Sequence, residues 1–568
     1  MKKRFVTMVI LAAILCFSAW LVMPHTVNAE TVDGGVCGEN MTWSLDSTGT
    51  LTISGSGPMS AYTDRNHAPW WSYRDMIESV VLEDGVTSVG NYAFIHCDRL
   101  CSVTLPDTVS SIGLWAFYHC DVLQSVIIPE GITAVHEGTF GSCVSLETVS
   151  FPAGLTTIGD TSFSYCTGLQ QLHLPNGLNY IGSNAFSGCA GLVELQIPDS
   201  VTGMGVWAFG KCTGLKLVTV GAGMRELPER MFSGCTALRS VKLSEQVTVI
   251  GEWCFAECES LEYLDLPQNL QTIGSRGFLK CKNLKALTIP ETVTHIGISA
   301  FSGCESLTEI VIPESVTYLS PGLFGWCTNL EYVTLPEGIE GIRFCTFQYC
   351  SSLREINIPE SVTYIENHAF LNCTNLAVVE IPDQVTSIGV DAFKGCKNLA
   401  GVVLPESLTK ISGDAFSGCK KLWHVIYKGT EAQWNQITID SGNTRLKDAG
   451  RHYACTGHEL ELKFIVEPTC TEKGTLNVIC TLCRERCPNI PAAAWGHHFE
   501  NGVCSRCGEP DLEKLDVNGD GLVNIRDARA LLKLLSEGTV EDGKDPNGDG
   551  RINTRDVRDI LRIIADLP

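Results

Sequence analysis

Apolar residues return along the middle of the chain at one fixed interval. Phenylalanine stands at Phe94, Phe117 and Phe140, and at every twenty-third residue from there to Phe416. Leucine keeps the same step from Leu100 to Leu422, and cysteine from Cys97 to Cys419, fifteen times each without a slip. Inside a unit the pattern changes from this long period to alternation. In Leu307-Thr308-Glu309-Ile310-Val311-Ile312-Pro313, Ile310 and Ile312 flank Val311, the pattern of a half-buried strand. Pro313 lacks the N–H a ladder needs and ends that strand. Val316 and Leu319 then supply the apolar positions of a return segment before Phe324 opens the next unit. One such unit cannot bury its own apolar face, whereas stacked units form a continuous core, so the pattern predicts a solenoid over 78–427.

The fold class expected is an α/β-type solenoid dominated by short strands, with a small all-α domain at its C-terminal end. The ladder cysteines should point inward as small, weakly donating hydrophobes. Disulfides between neighbouring rungs are the rival reading, and they would break the equivalence of the repeats. Cys37, Cys101, Cys254 and Cys345 lie off the ladder and are better disulfide candidates, with a connectivity that spacing does not reveal.

The first residues read as a secretory signal over 1–29: Met1-Lys2-Lys3-Arg4, an apolar run from Phe5 to Met23, and Val27-Asn28-Ala29 before the cut. No later run approaches the roughly 18 apolar residues that span a bilayer, so the mature chain is expected to be exported without a membrane span. The 568 residues carry a formal charge of −23, which repels phosphate backbones and argues against nucleic acid as a partner.

The repeat array resembles the BspA-like bacterial leucine-rich repeat family, whose strand signature Leu307, Ile310 and Ile312 match. The flanks carry the likeness further. Gly35-Val36-Cys37-Gly38, Trp43-Ser44-Leu45 and Gly49-Thr50-Leu51-Thr52-Ile53-Ser54-Gly55-Ser56-Gly57 look like that family's N-terminal cap, placed at 30–77. Tyr427-Lys428-Gly429-Thr430-Glu431-Ala432-Gln433-Trp434 looks like its closing element, placed at 428–451. The resemblance implies adhesion or protein binding and does not name a ligand.

Outward strand positions are mostly polar, as a solvated sheet face requires. Tyr263, Asp265 and Tyr332 offer the aromatic area a protein or glycan ligand would use. Trp115, Trp207 and Trp253, each two residues before a repeat phenylalanine, are a second candidate.

Composition changes again over 452–510, a cysteine-rich linker with seven cysteines between Cys455 and Cys507. Cys480-x2-Cys483 and Cys504-x2-Cys507 have the spacing of a four-cysteine zinc site, as in a zinc ribbon. Cys487, His497 and His498 are substitute ligands. Disulfides that also enlist Cys455 and Cys470 are the alternative in an oxidising exterior.

The last segment, 511–568, contains two oxygen-rich loops 29 residues apart. Asp516, Asn518, Asp520, Asn524 and Asp527 stand at positions 1, 3, 5, 9 and 12 of the first, with the Leu522 carbonyl at 7 and Gly521 at the sharp turn. Asp545, Asn547, Asp549, Arg551, Asn553 and Asp556 repeat the set, so two Ca2+ ions are expected. A helix follows each loop, read from Leu531, Leu532, Leu534 and Leu535 and again from Ile560, Leu561, Ile563 and Ile564, while no helix pattern precedes the first loop. This segment resembles a type I dockerin. The resemblance implies a calcium-dependent partner, a cohesin module of a scaffoldin, in cellulosome-like assemblies that degrade plant fibre. It also implies a partner face formed by Ile525, Arg526, Arg529 and Lys533 with Thr554, Arg555, Arg558 and Arg562. Ile525 and Thr554 differ between copies, which implies one preferred docking face.

The functional expectation is a secreted, non-catalytic binding protein held in an extracellular complex. The alternative is a dockerin-borne accessory enzyme or inhibitor acting in polysaccharide degradation. No nucleophile elbow or H-E-x-x-H motif is present, and the repeats leave no stretch long enough for a catalytic domain.

Overall fold

The computed structural model describes residues 29–453 in full and, beyond them, the backbone of the strands Leu460–Val466, Gly474–Cys480, Arg486–Ala492, Phe499–Glu500 and Val503–Cys504. The repeats form a leucine-rich repeat solenoid of about 16 turns with few helices. They fall into two compact units, one ending at Cys212 and one beginning at Thr213.

The turns are joined by three inter-turn ladders, of which the two strand ladders are interrupted in some turns. The first is a parallel strand two to four residues after the repeat leucine. Glu309–Val311 pairs with Tyr332–Thr334, with Ile310 buried and Val311 58% exposed, as the alternation predicts. The second is a two-residue parallel bridge at the return segment, such as Thr272–Ile273 beside His295–Ile296. The third runs through the turn around the phenylalanine and uses no strand. Arg276 N donates to Ile298 O at 2.8 Å, Phe278 N to Ala300 O at 2.8 Å and Lys280 N to Ser302 O at 2.7 Å.

That third ladder has an unusual backbone. In every one of the fifteen turns, the residue two before the phenylalanine and the residue just before the cysteine are left-handed, and most of them are not glycine. The non-glycine members lie at φ of 52–62°. A left-handed L-residue costs roughly 1–2 kcal/mol. The hydrogen bonds to the next turn hold it, because relaxing the angle would break three of them. Thr161 bears the most strain: it is β-branched, sits at φ 52°, and has a buried hydroxyl without a partner. Thr161→Asn should raise the stability of the first unit by about 1 kcal/mol, read from its denaturant midpoint. An unchanged or lower midpoint would contradict the strain.

Inside the turns the phenylalanines stack. Ring centroids run 5.1–5.5 Å apart from Trp70 through Phe94 to Phe209. They run 5.0–5.8 Å apart from Phe232 to Phe416. The ladder cysteines are buried free thiols. Along the ladder a phenylalanine carbonyl takes a backbone bond in its own turn and a thiol from the next. Phe278 O accepts Cys281 N at 3.1 Å and Cys304 Sγ at 3.2 Å. Cys37, Cys101, Cys254 and Cys345, expected as disulfide candidates, are also free thiols. Cys37 and Cys254 are buried in different units, and Cys101 is exposed with its Sγ donating to Glu78 O at 3.0 Å.

Burial pushes Cys327 and Cys419 up to about 12 from an ordinary 9.0, and raises Cys281 and Cys304 as well. The unfolded chain therefore releases protons above pH 9 that the folded chain keeps. The thiol contribution is intact below the ordinary thiol pKa and is lost as pH rises toward about 12. Denaturant midpoints in reducing buffer should fall steeply over that range. Replacing Cys281 and Cys304 by alanine should flatten the fall by about 1.4 kcal/mol per pH unit for each thiol removed. Equal slopes would refute the account.

The ends are closed by different means. At the N-terminal end, Thr31–Gly38, Met41–Asp46 and Thr50–Gly55 form an antiparallel meander. Its last strand pairs in parallel with Ser79–Leu82, which covers the open edge. Trp70 stands in for a repeat phenylalanine, stacking on Phe94 and donating its indole N–H to Ala93 O at 2.8 Å. At the C-terminal end, Thr438–Ile439 pairs with Lys410–Ile411 and Gly450–Tyr453 with His424–Tyr427. Helix Glu431–Trp434 opens on a capping box between Thr430 and Gln433, and Trp434 packs on Tyr427. Asn443, 1% exposed, replaces the missing next turn. Its Oδ1 accepts Phe416 N at 2.9 Å, and its Nδ2 donates to Ser412 O at 2.9 Å and Asp440 O at 3.2 Å. Asn443→Leu removes all three bonds and leaves Phe416 N, buried at the end of the ladder, without its acceptor. It should destabilise the last turns by about 2–4 kcal/mol, seen as faster amide exchange at Phe416 while Phe278 is unaffected.

Beyond residue 453, Gly474–Cys480 pairs antiparallel with Leu460–Val466 on one side and Arg486–Ala492 on the other. Phe499–Glu500 pairs with Val503–Cys504. Among the described residues no helix is long and apolar enough to cross a membrane.

Candidate ligand-binding surfaces

The first-face positions chosen from sequence are only partly brought together. Tyr263, 55% exposed, and Asp265 point outward on either side of buried Leu264, although these three residues make no regular strand pairing. Tyr332 lies three turns further on, so roughly 14 Å separates it from Tyr263. Lys285 Nζ stands 5.5 Å from the Tyr263 ring centroid and pairs with Glu262 at 3.2 Å. The same two turns carry two more such pairs beside Cys258 and Cys281: Lys280 meets Glu257 at 3.2 Å and Lys282 meets Glu259 at 2.7 Å. The Glu259 partner holds the Lys282 ammonium above its usual range. These pairs are exposed and add little stability. Tyr263 is left with a neutralised Lys285–Glu262 pair beside it.

The tryptophan column is a property of the left-handed turn. Trp115, Trp207 and Trp253 all occupy the first left-handed position, where the side chain leaves the core and lies along the edge. Trp115 covers Gly138 of the next turn, where an added Cβ would sit 2.4 Å from the indole. Trp253 is closed on both faces, by Arg276 at 4.7 Å and Arg230 at 5.2 Å. Trp207 has Lys211 at 5.7 Å. Sequence reasoning did not single out the second left-handed column, just before the cysteines. It carries His96, His119, Tyr165, Trp326 and Tyr349, with Tyr165 and Trp326 52% and 50% exposed. Phase was the available signal, since these residues share a repeat position with the glycines at 188, 234 and 303.

Two further features in the second unit are polar. An open groove of about 630 Å³ is lined by Arg225, Thr248, Asn269, Gln271, Glu291 and Thr294, among others, and has no aromatic wall. Arg343 is sandwiched between Tyr318 at 4.7 Å and Tyr364 at 5.0 Å, and pairs with Glu366 at 3.0 Å. With its faces and edge occupied, Arg343 is a packing element.

The calcium-loop residues Asp516 to Asp556, the docking residues Ile525 to Arg562, and Cys483 and Cys507 lie outside the described residues. Cys480 and Cys504 end the backbone strands Gly474–Cys480 and Val503–Cys504, so each Cys-x2-Cys pair starts where a strand stops. Among the described residues no group of three or more His, Cys, Asp or Glu side chains is arranged to hold a metal.

The 23-residue ladders match a known family. The model of the BspA type leucine-rich repeat region matches residues 71–193, 186–308 and 294–423. The chain belongs to the BspA-type leucine-rich repeat proteins. The model of the dockerin type I domain matches residues 514–565 of this BspA-type chain. A solved leucine-rich repeat protein from Bacteroides ovatus is 27% identical, with a TM-score of 0.55, over 73% of this chain and 99% of that one. A leucine-rich cell surface protein from Faecalibacterium prausnitzii is 26% identical over 71% of this chain and 97% of that one, with a TM-score of 0.31. No curated protein matches the chain. Type I dockerins bind calcium and cohesins, so the BspA-type array is joined to a docking module.

Proposed function

We propose that this protein is an exported, non-catalytic binding protein whose repeat array displays ligand-binding surface while its dockerin fixes it, through two Ca2+ ions, to a cohesin on an extracellular scaffold. The observation that carries this reading is the pairing of a repeat array over 71–423 with a dockerin type I match over 514–565. Each calcium loop supplies three carboxylates and the hard oxygens that Ca2+ prefers. Some fifty residues make a marginal core, so bound metal supplies folding energy and docking depends on it. Ile525, Arg526, Arg529 and Lys533, with Thr554, Arg555, Arg558 and Arg562, form the partner face on this reading. Their bases would meet an acidic cohesin surface. Cys480, Cys483, Cys504 and Cys507 hold a structural Zn2+ in the same reading. The bound metal fixes a segment too small to build its own core.

A cohesin-array pull-down with the full chain tests the docking step. Capture in calcium buffer should be abolished by EDTA and by Asp516→Ala combined with Asp545→Ala. Capture that survives either treatment would sink the mechanism. Hydrolysis of a plant polysaccharide by the pure protein would favour the accessory-enzyme reading instead.

A further inference from the structure

We propose that the edge formed by His96, Trp115, Tyr118 and His119 in the first unit is a binding site for a neutral hexopyranose chain. The proposal rests on the reading of the repeat array as the ligand-binding part of the protein and names a place and a ligand class for it.

Four rings are contiguous there. His96 and His119 stack at 4.9 Å with 16° between planes. Tyr118 meets His119 edge-on at 4.6 Å, Trp115 edge-on at 4.7 Å and His96 at 6.2 Å. The following turn gives them room, because it carries glycine at both positions they cover. A Cβ at Gly138 would lie 2.4 Å from the Trp115 indole, and one at Gly141 would lie 2.8 Å from the Tyr118 ring. All four side chains remain part-exposed at the surface.

This surface suits a sugar better than an apolar protein anchor. Every ring has a polar tip, and the aliphatic contribution is Leu114, 36% exposed. Rings of this kind stack on the C–H face of a pyranose, while the tips and nearby carboxylates pair with its hydroxyls. Asp98 and Asp121 lie close enough to act on the His96 charge, and Asp121 Oδ1 lies 3.3 Å from His119 Nδ1. These carboxylates accept hydrogen bonds from hydroxyls and repel uronate, sulfate and phosphate groups, which sets the ligand as neutral. The nearest cation, Arg74, lies over Trp71 at 4.6 Å and pairs with Asp75 at 3.5 Å. Burial, first, and the neighbouring His119 lower the His96 pKa, which favours its neutral imidazole. In the second unit the Trp253 faces are taken by guanidinium groups.

The test is calorimetric titration of the full chain with cellohexaose, mannohexaose and polygalacturonate. At least one neutral hexasaccharide should bind and polygalacturonate should not. Trp115→Ala and Tyr118→Ala should each weaken binding by about tenfold, Trp115→Phe should restore most of it, and Tyr263→Ala should leave it unchanged. Melting curves check that each variant is folded, and cohesin capture of the same preparations reports docking separately. The proposal fails if no neutral sugar binds, if folded Trp115→Ala and Tyr118→Ala both bind as the parent does, if polygalacturonate binds more tightly, or if the edge captures a protein in place of a sugar.

Discussion

Two left-handed residues in each turn allow the phenylalanine N–H and its flanking N–H groups to reach the carbonyls of the next turn. Much of the solenoid depends on that geometry. It sends the phenylalanine ring inward to stack, and it leaves the phenylalanine carbonyl free to accept the thiol of the following turn. It also brings the chain round in few residues with no helix on that side. The strain is tolerable because it is shared. No single turn could hold two left-handed residues on its own hydrogen bonds, and each is held by its neighbour. Stability therefore propagates from turn to turn, and the ends need dedicated closures such as Trp70 and Asn443.

The same geometry explains what could be read from the sequence. The phenylalanine, cysteine and leucine columns were legible because inward positions demand one shape and volume in every turn. The strand after the leucine was legible from alternation, as at Ile310 to Ile312. The left-handed positions were not, because their side chains point out of the core and vary freely. Tryptophan, arginine, threonine and aspartate all stand where a glycine would have given the backbone away. Asn443 was equally hidden. Its role is to imitate a backbone acceptor that the next turn would have supplied, and nothing local to Asp440–Thr444 signals that the turn is missing.

The candidate surfaces divide along the same line. Tyr263, Asp265 and Tyr332 were chosen from alternation alone, which says which way a residue points and not what lies beside it. The structure places a cation beside one tyrosine and the other three turns away. The tryptophans were chosen for a shared position, and that position proved to be one of two display columns. Their surroundings differ because the residue one turn later differs: glycine beneath Trp115, arginine beside Trp253. What a display residue can do is thus decided 23 positions downstream, a spacing that only the register of the repeats makes visible.

On the proposed reading, the two ends of the chain draw on separate sources of free energy. The array is stabilised by stacked turns and needs no metal, whereas the dockerin obtains its fold and its partner through calcium. This separation bears on how strong the array's own binding has to be. Edge sites such as that at Trp115 are shallow, and a few rings over bare backbone give modest affinity. A chain already held by its tail meets a ligand on the same scaffold or fibre as an intramolecular partner, at an effective concentration that can reach the millimolar range for short flexible links. Weak contacts then suffice, and they can form and release along a polymer without losing the anchor. A fold that fixes its interior with three residue types and leaves its edge columns free to vary is suited to supply such contacts.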